Sequence, residues 1–230
     1  MNELALFAGA GGGLLASLLL GWKTVCAVEL DWYSRCVLTQ RQNDGLANIF
    51  PIWDDVCTFD GRAWRGIVDV VSGGFPCQAF STAASGRNNA DDLWPEMRRV
   101  VADVAPRYVF AENVSREAID NAANDLESMG YEVKCLELSA KDMGADHMRG
   151  RCWLLAHSDV HGKLRSTIDA KVAVMPGICP RVWETYPDES RMDDGLAYRV
   201  DRLKATGNGQ VPIVAATAWH ILQAAMKGKQ

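Results

Sequence analysis

Through residue 156 the chain alternates short apolar runs with longer stretches whose apolar positions recur at helical spacing. Leu4 to Phe7, Thr24 to Val28, Ile49 to Ile52, Val68 to Ser72 and Tyr108 to Ala111 read as five strands. Glu132 to Leu138 and Arg151 to Ala156 add two more. A helix is expected from about Asp31 to Gln42, and another over Leu93 to Val104, with Asp91 and Asp92 available as caps and Pro95 in its first turn. Ser115 can cap a third helix, apolar at Ile119, Ala122, Ala123, Leu126 and Met129 and closed by Gly130. Strands alternating with helices predict an α/β fold, a Rossmann-like doubly wound and mostly parallel sheet.

After His157 the alternation stops. Three prolines and scattered charge run to about Arg199, and residues 157–204 hold eight basic and eight acidic side chains, a neutral balance. An apolar helix returns from Pro212 to Met226. The expected organisation is a main domain over 1–156, a small irregular segment over 157–198 and a C-terminal return over 199–230. No charge falls between Glu3 and Lys23, but Gly9, Gly11, Gly12 and Gly13 crowd that stretch, so it reads as strand, turn and helix start rather than a membrane segment. The expected location is the cytoplasm.

With 230 residues the chain has room for one large domain with an appendage. A formal charge of −5 excludes a bulk-basic nucleic-acid binder and leaves room for a local basic patch. Eight Trp suggest surfaces that stack or dock. Seven Cys without C-x-x-C spacing suggest a reducing compartment and mostly buried thiols. His157 and His161 flank Asp159, yet nothing else converges on them, and no metal is expected.

Five segments carry candidate chemistry. Phe7-Ala-Gly9-Ala-Gly11-Gly12 follows a strand, and its glycines permit a tight turn and close approach of a ligand to main-chain N–H groups. Glu29 ends the second strand, where an acid can hold ribose hydroxyls, and Asp55 after the third could accept from an exocyclic amine. These describe either a nucleoside pocket or a structural turn beside solvated carboxylates. Cys77, in Gly73-Gly74-Phe75-Pro76-Cys77-Gln78, stands just past a strand's carboxyl end, as an exposed nucleophile or a buried thiol beside a turn. Glu112, in Ala111-Glu112-Asn113-Val114, ends the next strand; half desolvated there, a carboxyl group can donate a proton. Arg149 and Arg151 open the last strand two residues apart and suit an acceptor oxygen or a phosphate. Gly207-Asn208-Gly209 before Pro212 offers free N–H groups at a helix start.

In order and identity these segments resemble the C5-cytosine DNA methyltransferase family. Phe7 to Gly12 is similar to its first motif, Glu29 to its second, Asp55-Val56 to its third, Gly74 to Gln78 to its nucleophile motif, Glu112 to Val114 to its sixth and Arg149 to Arg151 to its eighth. Arg202 to Pro212 is similar to its ninth motif running into the tenth. Departures are Ala5 in place of an Asp, His147 in place of a Gln, a short loop after Cys77 and a very short recognition region.

The resemblance implies an S-adenosylmethionine-dependent methyltransferase fold and methyl transfer to carbon 5 of a flipped cytosine in double-stranded DNA by a monomer. Cys77, Glu112, Arg149 and Arg151 would be catalytic, with the Ser81 to Asp92 loop as a lid. Contacts to S-adenosylmethionine would come from Phe7, Gly9, Gly12, Glu29, Leu30, Asp55, Val56, Gly74, Pro76, Asn208 and Gly209. DNA contacts would come from among Arg87, Arg98, Arg99, Arg149, Arg151, Arg181 and Lys204. Alternatives are methylation of RNA cytosine and nicotinamide-dependent oxidation.

Overall fold

A computed structural model describes residues 1–76, 92–158, 201, 207 and 209–227. Among the described residues seven strands form one sheet: β1 (Asn2–Leu6), β2 (Lys23–Val28), β3 (Ile52–Trp53), β4 (Val70–Gly74), β5 (Tyr108–Asn113), β6 (Glu132–Ser139) and β7 (Gly150–His157). Their order is β3-β2-β1-β4-β5-β7-β6. Every pair is parallel except the two made by β7, which runs against both β5 and β6. The mostly parallel, doubly wound sheet expected from the alternation is therefore what the chain forms.

Helices cover both faces. On one lie α3 (Trp94–Val104) and α4 (Arg116–Ser128), which bury Met97, Val100, Val104, Ile119 and Leu126 against Leu4, Leu6, Val71, Val109 and Leu154. On the other lie α1 (Gly12–Leu19), α2 (Trp32–Asn43) and α5 (Pro212–Lys227). Beneath α5 the core is aromatic: Trp22 meets Trp219 edge-on at 4.6 Å between centroids, and Phe110 stacks on Trp153 at 5.4 Å. Four of the eight Trp (Trp22, Trp94, Trp153 and Trp219) are thus core rather than docking surface. Each strand sends alternate side chains to opposite faces, so Leu4 and Leu6 serve one core cluster while Ala5 serves another.

Glu3 is a buried carboxyl between layers. It accepts from Ser17 Oγ (2.6 Å), Ser72 Oγ (2.6 Å) and Thr24 Oγ1 (2.8 Å), tying α1 and β4 to β1 and β2. Burial raises its pKa, and the three hydroxyls pull it back.

Local chemistry set most boundaries as expected. The Ser115 hydroxyl accepts from Ala118 N, Asp92 accepts from Trp94 N, and Gly130 closes α4 with φ +89°. The third strand is displaced from the expected position: it pairs only at Ile52 and Trp53, and Ile49 is 87% exposed. The thiols also divide differently, since Cys26 and Cys152 are buried while Cys36 and Cys57 are exposed.

Candidate active site

The chain winds outward from β1 in opposite directions, to β2 and β3 on one side and to β4 and β5 on the other. Such a switch point leaves a crevice beyond the strands' carboxyl ends. The glycine turn lies there. β1 stops at Leu6, because Phe7 adopts φ +52°, a left-handed backbone that costs a bulky residue on the order of 1–3 kcal/mol and clusters at functional sites. Gly9 follows with φ +53° and Gly11 with φ +90°. Gly9 N donates to Glu29 Oε2 at 2.6 Å, and Asp31 N donates to Oε1 at 2.7 Å. Burial raises the Glu29 pKa, opposed by these two N–H groups.

At the carboxyl ends of β4 and β5, Gly74 pairs with Glu112. Glu112 is 7% exposed, and its Oε1 lies 2.7 Å from Arg151 Nε. Burial raises its pKa; the Arg151 charge, the Gln210 amide and the Arg149 charge oppose that. Next along β5, buried Asn113 donates from Nδ2 to Phe75 O at 2.9 Å. It thereby fixes the backbone that leads through Pro76 towards Cys77. Leu93 N donates to Pro76 O at 3.3 Å, which returns the chain to the same place before α3.

Arg149 does not share its neighbour's partner. It precedes β7, and its Nη2 donates to Gly207 O (2.7 Å) and Gly209 O (2.6 Å). Burial lowers its pKa. The two guanidinium groups, two residues apart, have separate tasks. Arg151 holds the acid and Arg149 holds the loop ahead of α5.

The glycine turn and the ends of β4 and β5 border one open cleft, lined by Phe7, Gly9, Gly13, Ser72, Gly74, Glu112, Gly209 and Gln210 among others. Of the expected cofactor residues, Phe7, Gly9, Gly74 and Gly209 meet there. Gly12 adjoins Gln210 instead, since a Cβ on it would collide with the Gln210 carbonyl. Leu30 is 67% exposed beside Glu29. Asp55 opens a short 3-10 turn and accepts from Cys57 N at 2.9 Å, with Val56 buried behind it. Cys77, Asn208, Arg87, Arg181, Lys204, the lid from Ser81 through residue 91 and residues 159–200 lie outside the described residues.

Three residues of this region have roles that were not expected from the sequence. Asn113 braces the strand end, Gln210 reaches Glu112, and Arg99 braces the turn after Asp55. Read as a DNA contact, Arg99 instead donates to Val56 O (2.6 Å) and Phe59 O (2.9 Å) and pairs with Glu96 at 2.8 Å. Its two carbonyl partners belong to the turn that follows Asp55. Asn113 and Gln210 lie inside recognised motifs, which was the usable signal; for Arg99 there was none. Among the described residues no cluster of three metal-ligating side chains occurs, and no helix is long and apolar enough to cross a membrane.

A family model for C-5 cytosine-specific DNA methylases matches residues 1–189. The chain belongs to that family. Type II methyltransferase M1.HphI of Haemophilus parahaemolyticus is 35% identical over 180 residues, 69% of this chain and 46% of that protein. Type II methyltransferase M.Eco47II of Escherichia coli is 37% identical over 129 residues, 55% of this chain and 30% of that protein. The chain thus spans about half, or less, of the length of these two relatives. The crystal structure of S. pombe Dnmt2 methyltransferase superposes with a TM-score of 0.57 at 18% identity, covering 84% of this chain and 58% of that one, and shows that the fold is shared.

Proposed function

We propose that the protein transfers a methyl group from S-adenosylmethionine to carbon 5 of cytosine in double-stranded DNA, through a covalent adduct with Cys77. The observation that carries this reading is that Glu112, braced by Arg151, lines the same cleft as the glycine turn and faces Gly74, three residues before Cys77. A proton donor, a cofactor cradle and the strand that leads to a thiol therefore converge on one crevice.

The residues fit the cofactor. Around Gly9 a Cβ would meet nothing within 4 Å, so backbone there is open to a ligand. Glu29, desolvated at the edge of this turn, retains acceptor capacity for ribose hydroxyls beyond its two N–H bonds. Asp55 and the Val56 backbone, held by Arg99, would meet the adenine, and Phe7 would stack on it. The bound sulfonium supplies an electrophilic methyl group.

The protein's own part is to make carbon 5 nucleophilic. That carbon is too electron-poor in free cytosine. The Cys77 thiolate adds to carbon 6, and electron density moves to carbon 5 and ring nitrogen 3. Glu112, whose pKa burial raises, hydrogen-bonds or protonates that nitrogen. Arg151 holds Glu112 and would meet the carbonyl oxygen of the base. Once carbon 5 carries the methyl group, its proton leaves to a base or water and the thiol is eliminated. A base inside a duplex reaches such a crevice only by flipping out of the stack.

The test is transfer of tritiated methyl from S-adenosylmethionine to duplex plasmid DNA, with total RNA and nicotinamide reduction as comparisons. Label in DNA at carbon 5 of cytosine is expected. Label in RNA alone would move the substrate to RNA, and nicotinamide turnover without label would overturn the reading.

A further inference from the structure

Gln210 stands two residues before α5, inside the Arg202 to Pro212 segment, where the sequence assigned it no role of its own. Three glycines from two distant parts of the chain leave room for it. At Gly12 a Cβ would collide with the Gln210 carbonyl, at Gly13 it would sit 2.7 Å from Gln210 Oε1, and at Gly74 it would sit 3.2 Å from Gln210 Nε2. The same Gly74 position would also put a Cβ 2.6 Å from Glu112 Oε2. Across that space Gln210 Nε2 donates to Glu112 Oε2 at 3.4 Å. The other carboxyl oxygen belongs to Arg151. Arg149, through Gly207 O and Gly209 O, holds the backbone from which Gln210 extends.

We propose that Gln210 is a positioning residue for Glu112, holding the carboxyl oxygen that Arg151 leaves free and linking the acid to the wall of the cofactor cleft. This rests on the reading of Glu112 given above. A carboxamide suits the task because it carries both a donor and an acceptor. It can donate to a carboxylate and, with the amide turned over, accept from a carboxylic acid. Arg151 can only donate, so by itself it would favour the ionised state. An acid that must keep and lend a proton in one geometry needs a neutral partner as well as a charged one. Gln210 lines the cleft together with Gly9, Gly13 and Gly74, so a ligand in the cleft would press on the side chain that orients the acid.

Glu112 is faced by Arg151 and Arg149 from the β7 side, and Cys152 lies near it on β7. Among the described residues Gly74 on β4 and Gln210 before α5 bring no charge. Loss of the Gln210 donor therefore removes one of the few groups that stabilise the carboxylate.

The test compares the full chain with Gln210→Met, which keeps length and removes the amide, and Gln210→Glu, which keeps shape and adds a charge. Carboxyl carbons of 13C-labelled Glu are titrated by NMR, with the Glu112 signal assigned by its loss in Glu112→Gln. Its midpoint should rise by roughly half a pH unit or more in Gln210→Met, the scale of one hydrogen bond, and further in Gln210→Glu. The basic limb of the methyl-transfer rate should move up in pH by the same amount in each variant. If Gln210→Met does not fold, Gln210→Glu alone decides. An unchanged Glu112 midpoint in the folded variants overturns the assignment. A shifted midpoint in the variants of a parent that transfers no methyl group upholds the tether and refutes the function it was placed in.

Discussion

Replacing Arg151 with Met should cost the fold more at pH 8 than at pH 5. The substitution removes the Nε that lies 2.7 Å from Glu112 Oε1 and leaves a carboxyl group that is 7% exposed. Breaking a buried pair from one side costs roughly 3–5 kcal/mol, because the remaining charge is uncompensated. The Arg151 side chain keeps 20% exposure, so the lower end applies. For a chain of 230 residues, about 3 kcal/mol corresponds to a fall in Tm of about 6–12 °C. That loss is avoidable where Glu112 can take up a proton. Burial already holds its folded pKa above the ordinary value, and removal of the cation raises it further, while the unfolded value stays put. A raised folded pKa contributes stability below the unfolded value and loses it as pH rises through the folded one. The deficit of Arg151→Met should therefore be small at pH 5 and reach its full size by pH 8. Circular-dichroism melts of parent and variant at pH 5, 6.5 and 8 measure it. An equal fall at all three, or one under about 2 °C at pH 8, would show that the pair does not carry a buried charge.

Three further outcomes follow from the site. Glu112→Gln should lose at least about 10²-fold in methyl transfer while S-adenosylmethionine affinity hardly moves; turnover at the parental rate would assign the acid elsewhere. Glu29→Ala leaves Gly9 N and Asp31 N without their carboxylate and should weaken S-adenosylmethionine binding by roughly tenfold or more in calorimetry, whereas unchanged affinity would remove Glu29 from the ribose site. The segment from His157 to Tyr198, with five basic against seven acidic side chains, offers few side chains for base edges, so a recognition site of about two to four base pairs or relaxed specificity is expected. Arg181→Ala with Arg191→Ala should widen the set of sites seen by bisulfite mapping more than it slows the best one, and a strict site of six or more base pairs would contradict this.

Period and punctuation made the sheet legible. Runs such as Val70-Val71 and Val109-Phe110 are apolar on both faces because helices cover both, and Ser115, Pro95 and Gly130 mark helix ends by their own chemistry. The short β3 was misplaced because two paired residues leave almost no periodic signal. The site was legible where a residue type at a strand's end implies a reaction, as at Glu29 and Glu112. It was not legible where the role arises between segments. Arg99 looks like any surface cation until α3 lays it over the carbonyls of Val56 and Phe59. Gln210 acquires meaning only from the missing side chains of Gly12, Gly13 and Gly74. The core Trp residues misled for a related reason, since bulk alone does not tell an aromatic that stacks on a ligand from one that fills a sheet face.

The most direct measurement is a covalent trap at Cys77. A duplex library carrying 5-fluorocytosine in every four-base context is incubated with the protein and S-adenosylmethionine, and denaturation-resistant complexes are digested and mapped by mass spectrometry. The fluorine blocks loss of the substituent from carbon 5, so the thiol cannot be eliminated. The account predicts a methylated adduct on the peptide containing Cys77 in the parent and none in Cys77→Ala. An adduct that persists in Cys77→Ala, or one mapped to another residue, would contradict it.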